Sequence, residues 1–346
     1  MKIRRTLVSA VAIGVVSVAT AGAALATTDV EATRLAAGDR YGTSRTIANA
    51  TFDDATVAIV ASGLSYPDAL AASYLAGAAD SPVVLTDPSR LSAAALGALQ
   101  DVGASGAIVV GGTSAVSDAV IADMEAAGLE VDRVAGNDRY ATARAVAESV
   151  PEEQIGSLDG SIGRTALLAS GQGFADALSG GPLAYASAFP MLLTPQATLS
   201  PQATAAINAL DIEQVVILGG TAAVSPAVQT QLEALDVEVR RIAGADRTTT
   251  AHAIAEVAVD ELGFSVTHVN LARGDDFADA LAGSSNAGEE LAPILLTLTP
   301  NSLGSAAANY LGANAETLSS IHVYGGSGAV SESTVNAAEV AAGRNP

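Results

Sequence analysis

The chain repeats one pattern of about 100 residues three times, and this repeat constrains its fold more than any other feature. Four sequence blocks recur in the same order, at offsets between 99 and 108 residues. The first block reads RLAAGDRY from Arg34, RVAGNDRY from Arg133 and RIAGADRT from Arg241. The second block reads YPDAL from Tyr66, FADAL from Phe174 and FADAL from Phe277. Self-similarity of this kind indicates tandem copies of one structural unit.

The last two blocks complete each copy. The third block reads PVVLT from Pro82, PMLLT from Pro190 and PILLT from Pro293. The fourth block reads GGTSAVS from Gly111, GGTAAVS from Gly219 and GGSGAVS from Gly325. Because all four blocks agree in order and spacing, chance similarity does not explain them.

Within each unit, short β-branched runs alternate with alanine-rich stretches. In the first unit such runs cover residues 56–60, 83–85 and 107–110, and Gly, Pro or Ser bounds them, as is typical of buried strands. Alanine-rich stretches at 69–79 and 117–127 favour helices. Strands that alternate with helices indicate a parallel sheet with helices on its faces. We therefore predict an α/β fold of three tandem Rossmann-like, doubly wound parallel-sheet domains in a pseudo-threefold arrangement.

The repeat also sets the expected domain boundaries, which are 27–136, 137–244 and 245–346. Strands predicted at 129–134 and 237–242 close the first two units, whereas the third unit ends in a helical stretch at 331–342. Residues 30–35 resemble those closing strands and precede the first Asp-Arg block. We therefore expect this N-terminal strand to complete the third unit and to close the three units into a ring.

Residues 1–26 have the layout of a cleavable secretory signal. A basic start precedes an apolar run over residues 7–18, and small residues follow up to Ala26. The alternative is a membrane anchor, for which this run is short, since a spanning helix needs about 20 residues. We expect cleavage after Ala26, secretion, and no membrane association of the mature chain. We also expect no separate catalytic domain beside the three units.

The charge and the residue types narrow the classes of partner. Without the three basic residues of the signal, the chain has 13 basic residues, all of them arginine, and 37 Asp and Glu residues. Its formal charge is then −24. Such a chain repels a phosphate backbone, which argues against nucleic acid as a partner. The absence of cysteine excludes disulfides and thiolate metal sites.

Each unit has an Asp-Arg turn between a predicted strand and a predicted helix. The turns contain Asp39, Arg40 and Thr43; Asp138, Arg139 and Thr142; and Asp246, Arg247 and Thr250. The aspartate can cap the helix, and the arginine offers a planar fork of donors. One interpretation is structural: the pair fixes the strand–helix corner or joins neighbouring units. The other is recognition of anionic groups, because seven of the 13 arginines lie in these segments.

Two further motifs lie at predicted helix starts. The Gly-Gly turns are formed by Gly111 and Gly112, Gly219 and Gly220, and Gly325 and Gly326. Free N–H groups there can bind an anion, but the dinucleotide spacing is missing, and we favour a plain tight turn with a serine cap. The expected N-cap serines are Ser117, Ser225 and Ser331. The first helical turn after the aromatic residue holds Asp68, Asp176 and Asp279, for which we favour a structural role.

The histidines do not indicate a catalytic or metal centre. His252, His268 and His322 all lie in the third unit, and none has the i, i+4 spacing of a zinc-binding helix. His268 and His322 fall in predicted strands, where core or edge positions are the usual interpretation. Since a shared site should recur in all three units, we expect no metal, no cofactor and no catalytic residue.

The four blocks together closely resemble the type 2 cell wall binding repeat of Gram-positive bacteria, over nearly the whole chain after residue 33. The resemblance implies a compact trimeric arrangement of Rossmann-like domains. It also implies a non-catalytic, secreted cell surface protein that binds an anionic wall polymer, such as a teichoic-acid-like polymer or polysaccharide. The polymer-binding residues would then be those of the Asp-Arg and Gly-Gly turns.

The copies depart from one another, which puts equal binding by the three units in doubt. The first Asp-Arg block has its glycine shifted by one position, at Gly38, and the third has Thr248 in place of tyrosine. Two other function classes stay open. A wall hydrolase, such as an N-acetylmuramoyl-L-alanine amidase, would need zinc ligands that so few histidines hardly supply. An exported small-molecule binder would have one deep cleft rather than three equivalent surface sites.

Overall fold

A computed structural model describes residues 30–158 and 160–344. The expected secretory signal lies outside the described residues. Among the described helices, none combines the length and the apolar character needed to cross a membrane.

The first unit alternates strands and helices from the Asp-Arg turn onwards. Its elements are α1 (Arg40–Thr51), β2 (Val57–Ser62), α2 (Tyr66–Ala69), α3 (Ala72–Ala79), β3 (Val83–Thr86), α4 (Ala93–Asp101), β4 (Gly106–Val110), α5 (Asp118–Ala126) and β5 (Glu130–Val134). The chain enters it through β1 (Glu31–Leu35). The helix predicted at 69–79 is divided into α2 and α3, and the other predicted elements agree with the structure to within two residues.

The second and third units follow the same order. The second contains α6 (Arg139–Glu148), a short 3-10 turn (Glu152–Gln154), β6 (Thr165–Ser170), α7 (Ala175–Ala186), β7 (Met191–Thr194), α8 (Pro201–Ala209), β8 (Gln214–Leu218), α9 (Pro226–Glu233) and β9 (Glu238–Ile242). The third contains α10 (Arg247–Leu262), β10 (His268–Arg273), α11 (Ala278–Glu289), β11 (Ile294–Thr297), α12 (Ser305–Ala313), β12 (Ser320–Tyr324) and α13 (Glu332–Ala341).

Each unit builds a four-stranded sheet, and every strand pair in the described residues is parallel. The strand orders are β3-β2-β4-β5, β7-β6-β8-β9 and β11-β10-β12-β1. In each sheet the second strand of the unit lies on one side of the first strand and the third on the other, which is the doubly wound pattern. The α/β fold with three parallel-sheet units is therefore confirmed.

The N-terminal strand β1 lies in the third sheet, where the sequence placed it. It pairs with β12 in parallel, with Glu31 beside Ser320 and Leu35 beside Tyr324. Two side chains hold it there: the Arg34 Nη1 donates to the Gly325 carbonyl at 2.7 Å, and Glu339 accepts the Ala32 N–H at 3.0 Å. The first segment and the last helix of the fold thus stabilise the same sheet.

Three equivalent helices, α3, α7 and α11, pack against one another at the centre of the molecule. Their contacts are close because they carry small residues: a Cβ added to Gly77 would lie 2.1 Å from the Tyr185 carbonyl oxygen. Polar bonds also cross the centre, since Asn286 accepts from Tyr324 at 2.6 Å and donates to Thr51 at 2.9 Å. The helices α1, α6 and α10 each pack on the central helix of the preceding unit. This arrangement joins the units pairwise around a pseudo-threefold axis.

Candidate functional site

The motifs of two neighbouring units meet at the carboxyl ends of the strands. At each junction the Gly-Gly turn and the helix-start aspartate of one unit face the Asp-Arg turn of the next. In an open parallel sheet, ligands bind at this edge, where the strand order reverses. We call the three places the first junction (units one and two), the second junction (units two and three) and the third junction (units three and one).

The second junction contains a cavity of about 550 Å³. Its lining comes from the loop after β6, the Gly-Gly turn after β8 and the Asp-Arg turn before α10, and it includes Asp176, Gly220, Asp246, Arg247 and Thr250. The helices α7 and α10 both begin at its wall, so that their N-terminal dipoles point towards it. Tyr66 of the first unit also lines it, so the cavity is formed mainly by the second and third units with a contribution from the first.

The three Asp-Arg aspartates act as N-caps, as the sequence predicted. Asp39 accepts the Gly42 N–H at 2.8 Å, and Asp138 accepts the Ala141 N–H at 2.8 Å. Asp246 accepts two N–H groups, from Thr248 and Thr249, and backbone hydrogen bonds lower the pKa of its carboxyl. These carboxylates fix the helix starts that carry the arginines.

At the first and second junctions, the threonine of the Asp-Arg turn links the turn to the neighbouring unit. Thr142 is buried and accepts the Gly136 N–H at 3.1 Å, while its hydroxyl hydrogen-bonds to Asp68 of the preceding unit. Thr250 bonds in the same way to the Gly244 N–H, at 3.1 Å, and to Asp176. At the third junction, Thr43 accepts the Ala37 N–H at 3.2 Å.

The helix-start aspartates lie in the first turns of their helices, as predicted, but they are half-buried. Burial raises the pKa of Asp68, Asp176 and Asp279 above the ordinary aspartate range. At Asp68 and Asp176, the threonine hydroxyl and the arginine of the next unit partly oppose this rise in pKa. At the third, the neighbouring Asp276 adds to it. A recurring carboxyl with a perturbed pKa in a cleft is typical of functional sites.

The Gly-Gly turns bring the backbone against these carboxyls. Gly111, Gly219 and Gly325 have φ values of 112°, 105° and 99°, in the region that favours glycine. A Cβ added to Gly219 would lie 2.3 Å from Asp176 Oδ2. The first glycine of each pair is therefore required by the backbone, whereas a Cβ added to the second would make only ordinary van der Waals contacts.

The arginines of the Asp-Arg turns are oriented by backbone carbonyls. The Nη1 group of Arg40 donates to the Gly63 carbonyl at 2.7 Å, that of Arg139 to Gly171, and that of Arg247 to Gly274 at 2.5 Å. Each bond fixes the guanidinium at the end of the first strand of its own unit. Because a guanidinium has five N–H donors, this bond leaves donors for a ligand. The structural and the recognition interpretations are therefore compatible.

An aromatic cluster lies on the pseudo-threefold axis between the junctions. The rings of Tyr66, Phe174 and Phe277 have centroid distances of 5.3, 5.6 and 6.0 Å. Arg40 lies 5.6 Å above the Phe277 ring and Arg247 lies 5.9 Å above the Phe174 ring, which is cation–π distance. The second residue block thus supplies an apolar contact between units that the sequence alone did not indicate.

A second group of arginines has a structural role. Arg34, Arg133 and Arg241 donate to the carbonyls of Gly325, Gly111 and Gly219 at 2.7, 2.6 and 2.9 Å. Each one ties the closing strand to the Gly-Gly turn beside it. The clustering of arginines in the repeats therefore reflects turn geometry as well as any recognition of anions.

The prediction of three serine N-caps is only partly correct. Ser117, Ser225 and Ser331 occupy N-cap positions, but only Ser331 accepts a cap hydrogen bond through its side chain, from the Thr334 N–H. The hydroxyls of Ser117 and Ser225 are buried without a partner among the described residues. In the third unit the Thr334 hydroxyl at N3 also contacts the Ser331 hydroxyl, at 3.1 Å, whereas valine stands at N3 in the other units.

The third junction differs from the other two in charge. Asp275 and Asp276 stand where the second unit has Gln172 and Gly173, and Arg40 Nη2 lies 3.6 Å from Asp276. Arg40 is therefore partly neutralised by a carboxylate at ion-pair distance, and among the described residues Arg139 and Arg247 have no such pair. This supports the expectation from the sequence that the three units are not equal.

The family model for "Cell wall binding domain 2 (CWB2)" matches the chain three times, over residues 34–121, 133–229 and 241–335. Two curated proteins of Bacillus subtilis (strain 168) are similar. The N-acetylmuramoyl-L-alanine amidase LytC is 28% identical over 303 residues, which are 88% of this chain and 57% of that protein. The amidase enhancer is 27% identical over 263 residues, which are 76% of this chain and 34% of that protein. The chain thus spans between a third and just over half of these relatives.

Two solved structures share the fold. Cwp6 from Clostridium difficile has a TM-score of 0.78 at 20% identity, covering 93% of this chain and 50% of that one. Cwp8 from Clostridium difficile has a TM-score of 0.77 at 22% identity, covering 92% of this chain and 52% of that one. At these identities the likeness concerns the fold alone.

Proposed function

Because the chain belongs to the cell wall binding domain 2 family, we propose that it is a non-catalytic, secreted protein that attaches itself to an anionic polymer of the cell wall. The three junctions are the binding sites in this proposal. The observation that carries it is the cavity of about 550 Å³ at the second junction, whose lining comes mainly from the repeated motifs of the second and third units.

The arginine of each junction is the group that would contact the anion. Arg247 lies at the cavity and is exposed, and its carbonyl bond sets the direction of the guanidinium in advance. Fixed donors cost less conformational entropy when a ligand binds. Guanidinium groups suit phosphate and carboxylate because they can donate two parallel hydrogen bonds.

The Asp176 carboxyl at the base of the cavity repels an anionic ligand less strongly than its formal charge implies. Burial raises the pKa of Asp176, which makes the protonated form easier to reach. A protonated carboxyl repels no anion and can donate a hydrogen bond to a phosphate or a sugar oxygen. The N-termini of α7 and α10 add positive potential at the same place.

The acidic surface makes the proposed binding dependent on salt. The remainder of the protein repels a polyanion over a distance of about one Debye length, which is roughly 10 Å at 0.1 M ionic strength. Binding to the polymer should therefore be stronger at moderate salt or with divalent cations than at very low salt. Three junctions on one chain add avidity, since a second site engages a polymer that the first already holds.

Two alternatives make different predictions. The name of the LytC relative suggests wall hydrolysis, but the chain matches only 57% of that protein, and the His–Glu–His cluster of the described residues lies at the opposite edge of the third sheet from the junctions. A small-molecule binder is favoured by the cavity volume, which lies within the usual range for such ligands.

The test is co-sedimentation of the purified protein with cell walls, before and after removal of their secondary polymers. We expect binding to intact walls and its loss from bare peptidoglycan. Unchanged binding to bare peptidoglycan would contradict the anionic-polymer proposal. Release of muropeptides from the walls during incubation would instead support hydrolysis.

A further inference from the structure

Three ionisable side chains of the third unit converge at the amino edge of its sheet. His268 is the first residue of β10, His322 lies in β12, and Glu290 follows the last residue of α11. The three residues come from different elements, so their spacing in the sequence does not indicate that they lie close together. The junctions lie at the carboxyl edge, and this cluster is therefore separate from the proposed wall-binding sites.

The ligand atoms of the cluster form a small triangle. Glu290 Oε2 lies 2.9 Å from His268 Nε2 and 3.3 Å from His322 Nδ1, and the two nitrogens are 3.2 Å apart. Zinc bonds to histidine nitrogen and carboxylate oxygen are about 2.0–2.2 Å long, so two tetrahedral ligands lie roughly 3.3 Å apart. The observed distances match three corners of such a tetrahedron.

Two further observations fit a cation at this place. Glu290 Oε2 is buried, and apart from the two imidazoles that it faces, the described residues offer it no hydrogen-bond donor. His268 Nδ1 bonds to the Ser320 hydroxyl. When Nδ1 donates its proton there, Nε2 presents its lone pair to the triangle, as in the outer shells of known metal-bound histidines.

The fold itself does not require these residues. The strand register equates His268 with Val57 in the first unit and Thr165 in the second. His322 corresponds in the same way to Ile108 and Val216. Because the other sheets form without histidine, the cluster is a feature added to one unit.

We propose that His268, Glu290 and His322 bind one divalent transition-metal ion of the zinc class, with water completing the coordination. The side chains are 16%, 31% and 21% exposed, so that an ion can enter while the site stays sheltered. Two imidazoles and one carboxylate favour zinc over calcium and magnesium, which prefer oxygen ligands. The ion would join β10, β12 and the end of α11, and so stabilise the sheet that holds β1.

The test is isothermal titration of the metal-stripped protein, produced without a histidine tag, with zinc chloride in the presence of excess magnesium. We expect one saturable site and a melting temperature that rises with zinc concentration, because the ion binds only the folded state. Cobalt substitution should give the visible absorption of a four- or five-coordinate ion. Absence of saturable zinc binding would overturn the proposal.

Matched variants identify the ligands. His322→Val takes the residue of the second unit and Glu290→Gln keeps the side-chain size, and each should weaken zinc binding by a factor of about 100 or more and abolish the cobalt spectrum. Ser320→Ala, which removes the partner of His268, should weaken binding about 10- to 100-fold.

The control His252→Gln removes a histidine that lies elsewhere, beside Glu256 and the Ala306 carbonyl, and should leave zinc binding unchanged. Circular dichroism without metal checks that each variant folds. Equal zinc binding by wild type, His322→Val and Glu290→Gln, or a loss in His252→Gln alone, would refute the assignment.

Discussion

Gly42 lies against Ala37, and a methyl group added to Gly42 would come within 2.7 Å of the Ala37 Cβ. In the other two units the small and the larger residue of this contact have exchanged positions. There the glycine precedes the turn, at Gly136 and Gly244, and the larger residue is Ala141 or Thr249 in the helix. The departure of the first Asp-Arg block is therefore compensated five residues later in the same turn.

This contact predicts a coupling between two substitutions. Gly42→Ala alone should destabilise the protein or leave it unchanged, because the clash offsets the helix preference for alanine of about 1 kcal/mol. In an Ala37→Gly background the same substitution should stabilise, as in the second unit. Urea denaturation of the four proteins measures the coupling free energy. Additive effects of the two substitutions would contradict the steric compensation.

The central helix packing predicts different results for two helical glycines. Gly77→Ala places a methyl group 2.1 Å from the Tyr185 carbonyl oxygen of the next unit, and backbone cannot move easily. We expect a loss of about 1–3 kcal/mol, the usual cost of overpacking. Gly97→Ala meets only the end of the Arg45 side chain, at 2.4 Å, which can turn away. This control should be neutral or stabilising, and equal losses in thermal melts would disprove the close packing of α3 and α7.

The two aspartates of the second junction predict opposite pH dependence. Burial raises the pKa of Asp176 in the folded state, so that the folded protein binds more protons than the unfolded chain, and this group lowers stability as the pH rises through its pKa. Hydrogen bonds from Thr249 and Thr248 lower the pKa of Asp246 in the folded state. The ionised Asp246 carboxylate therefore stabilises the folded protein above the ordinary aspartate pKa, and this stabilisation is lost as the pH falls.

Relative to wild type, Asp176→Asn should therefore gain stability as the pH rises from about 3.5 to 7, and Asp246→Asn should lose it. The measurement is the difference in melting temperature between each variant and wild type at each pH. Parallel curves for the two variants would mean that their environments do not differ as described.

Much of the fold follows from the sequence because the repeat fixes what recurs. The four blocks mark strand ends and helix starts, and comparison of the closing strands with residues 30–35 was enough to place β1 beside β12. The repeat also indicates which residues of the three units are equivalent, and the positive φ values of Gly111, Gly219 and Gly325 agree with that equivalence.

The junctions could not be predicted, because a linear repeat does not show which unit a motif faces. Asp68 bonds to Thr142 of the next unit, although its own unit contains Thr43. The aromatic cluster was missed for the same reason, since its three rings come from three units.

The histidine cluster was missed through a different argument. A site shared by the three units should recur in each of them, so comparison of the repeats can identify it. A site that is present in a single unit does not recur, and the same comparison does not reveal it. His268 and His322 were predicted to be core or edge residues of strands, and they do lie in strands. Their partner Glu290 is brought to them by the end of α11, which only packing reveals.

The central claim is that the arginines at the junctions hold the wall polymer, and affinity for purified walls tests it most directly. We predict that Arg139→Gln and Arg247→Gln each weaken binding about tenfold or more, the usual effect of losing a charged hydrogen bond, and that the double variant weakens it further. Arg40→Gln should have a smaller effect, because Asp276 already pairs with that arginine.

Glutamine keeps a donor for the backbone carbonyl, and thermal melts check that each variant folds. The matched control is Arg45→Gln, which makes the same change of charge at an arginine that pairs with Asp101, away from the junctions. We predict that wall affinity is unchanged in this control and is reduced stepwise in the junction variants. Equal affinity of wild type and the double variant, or an equal loss in Arg45→Gln, would contradict it.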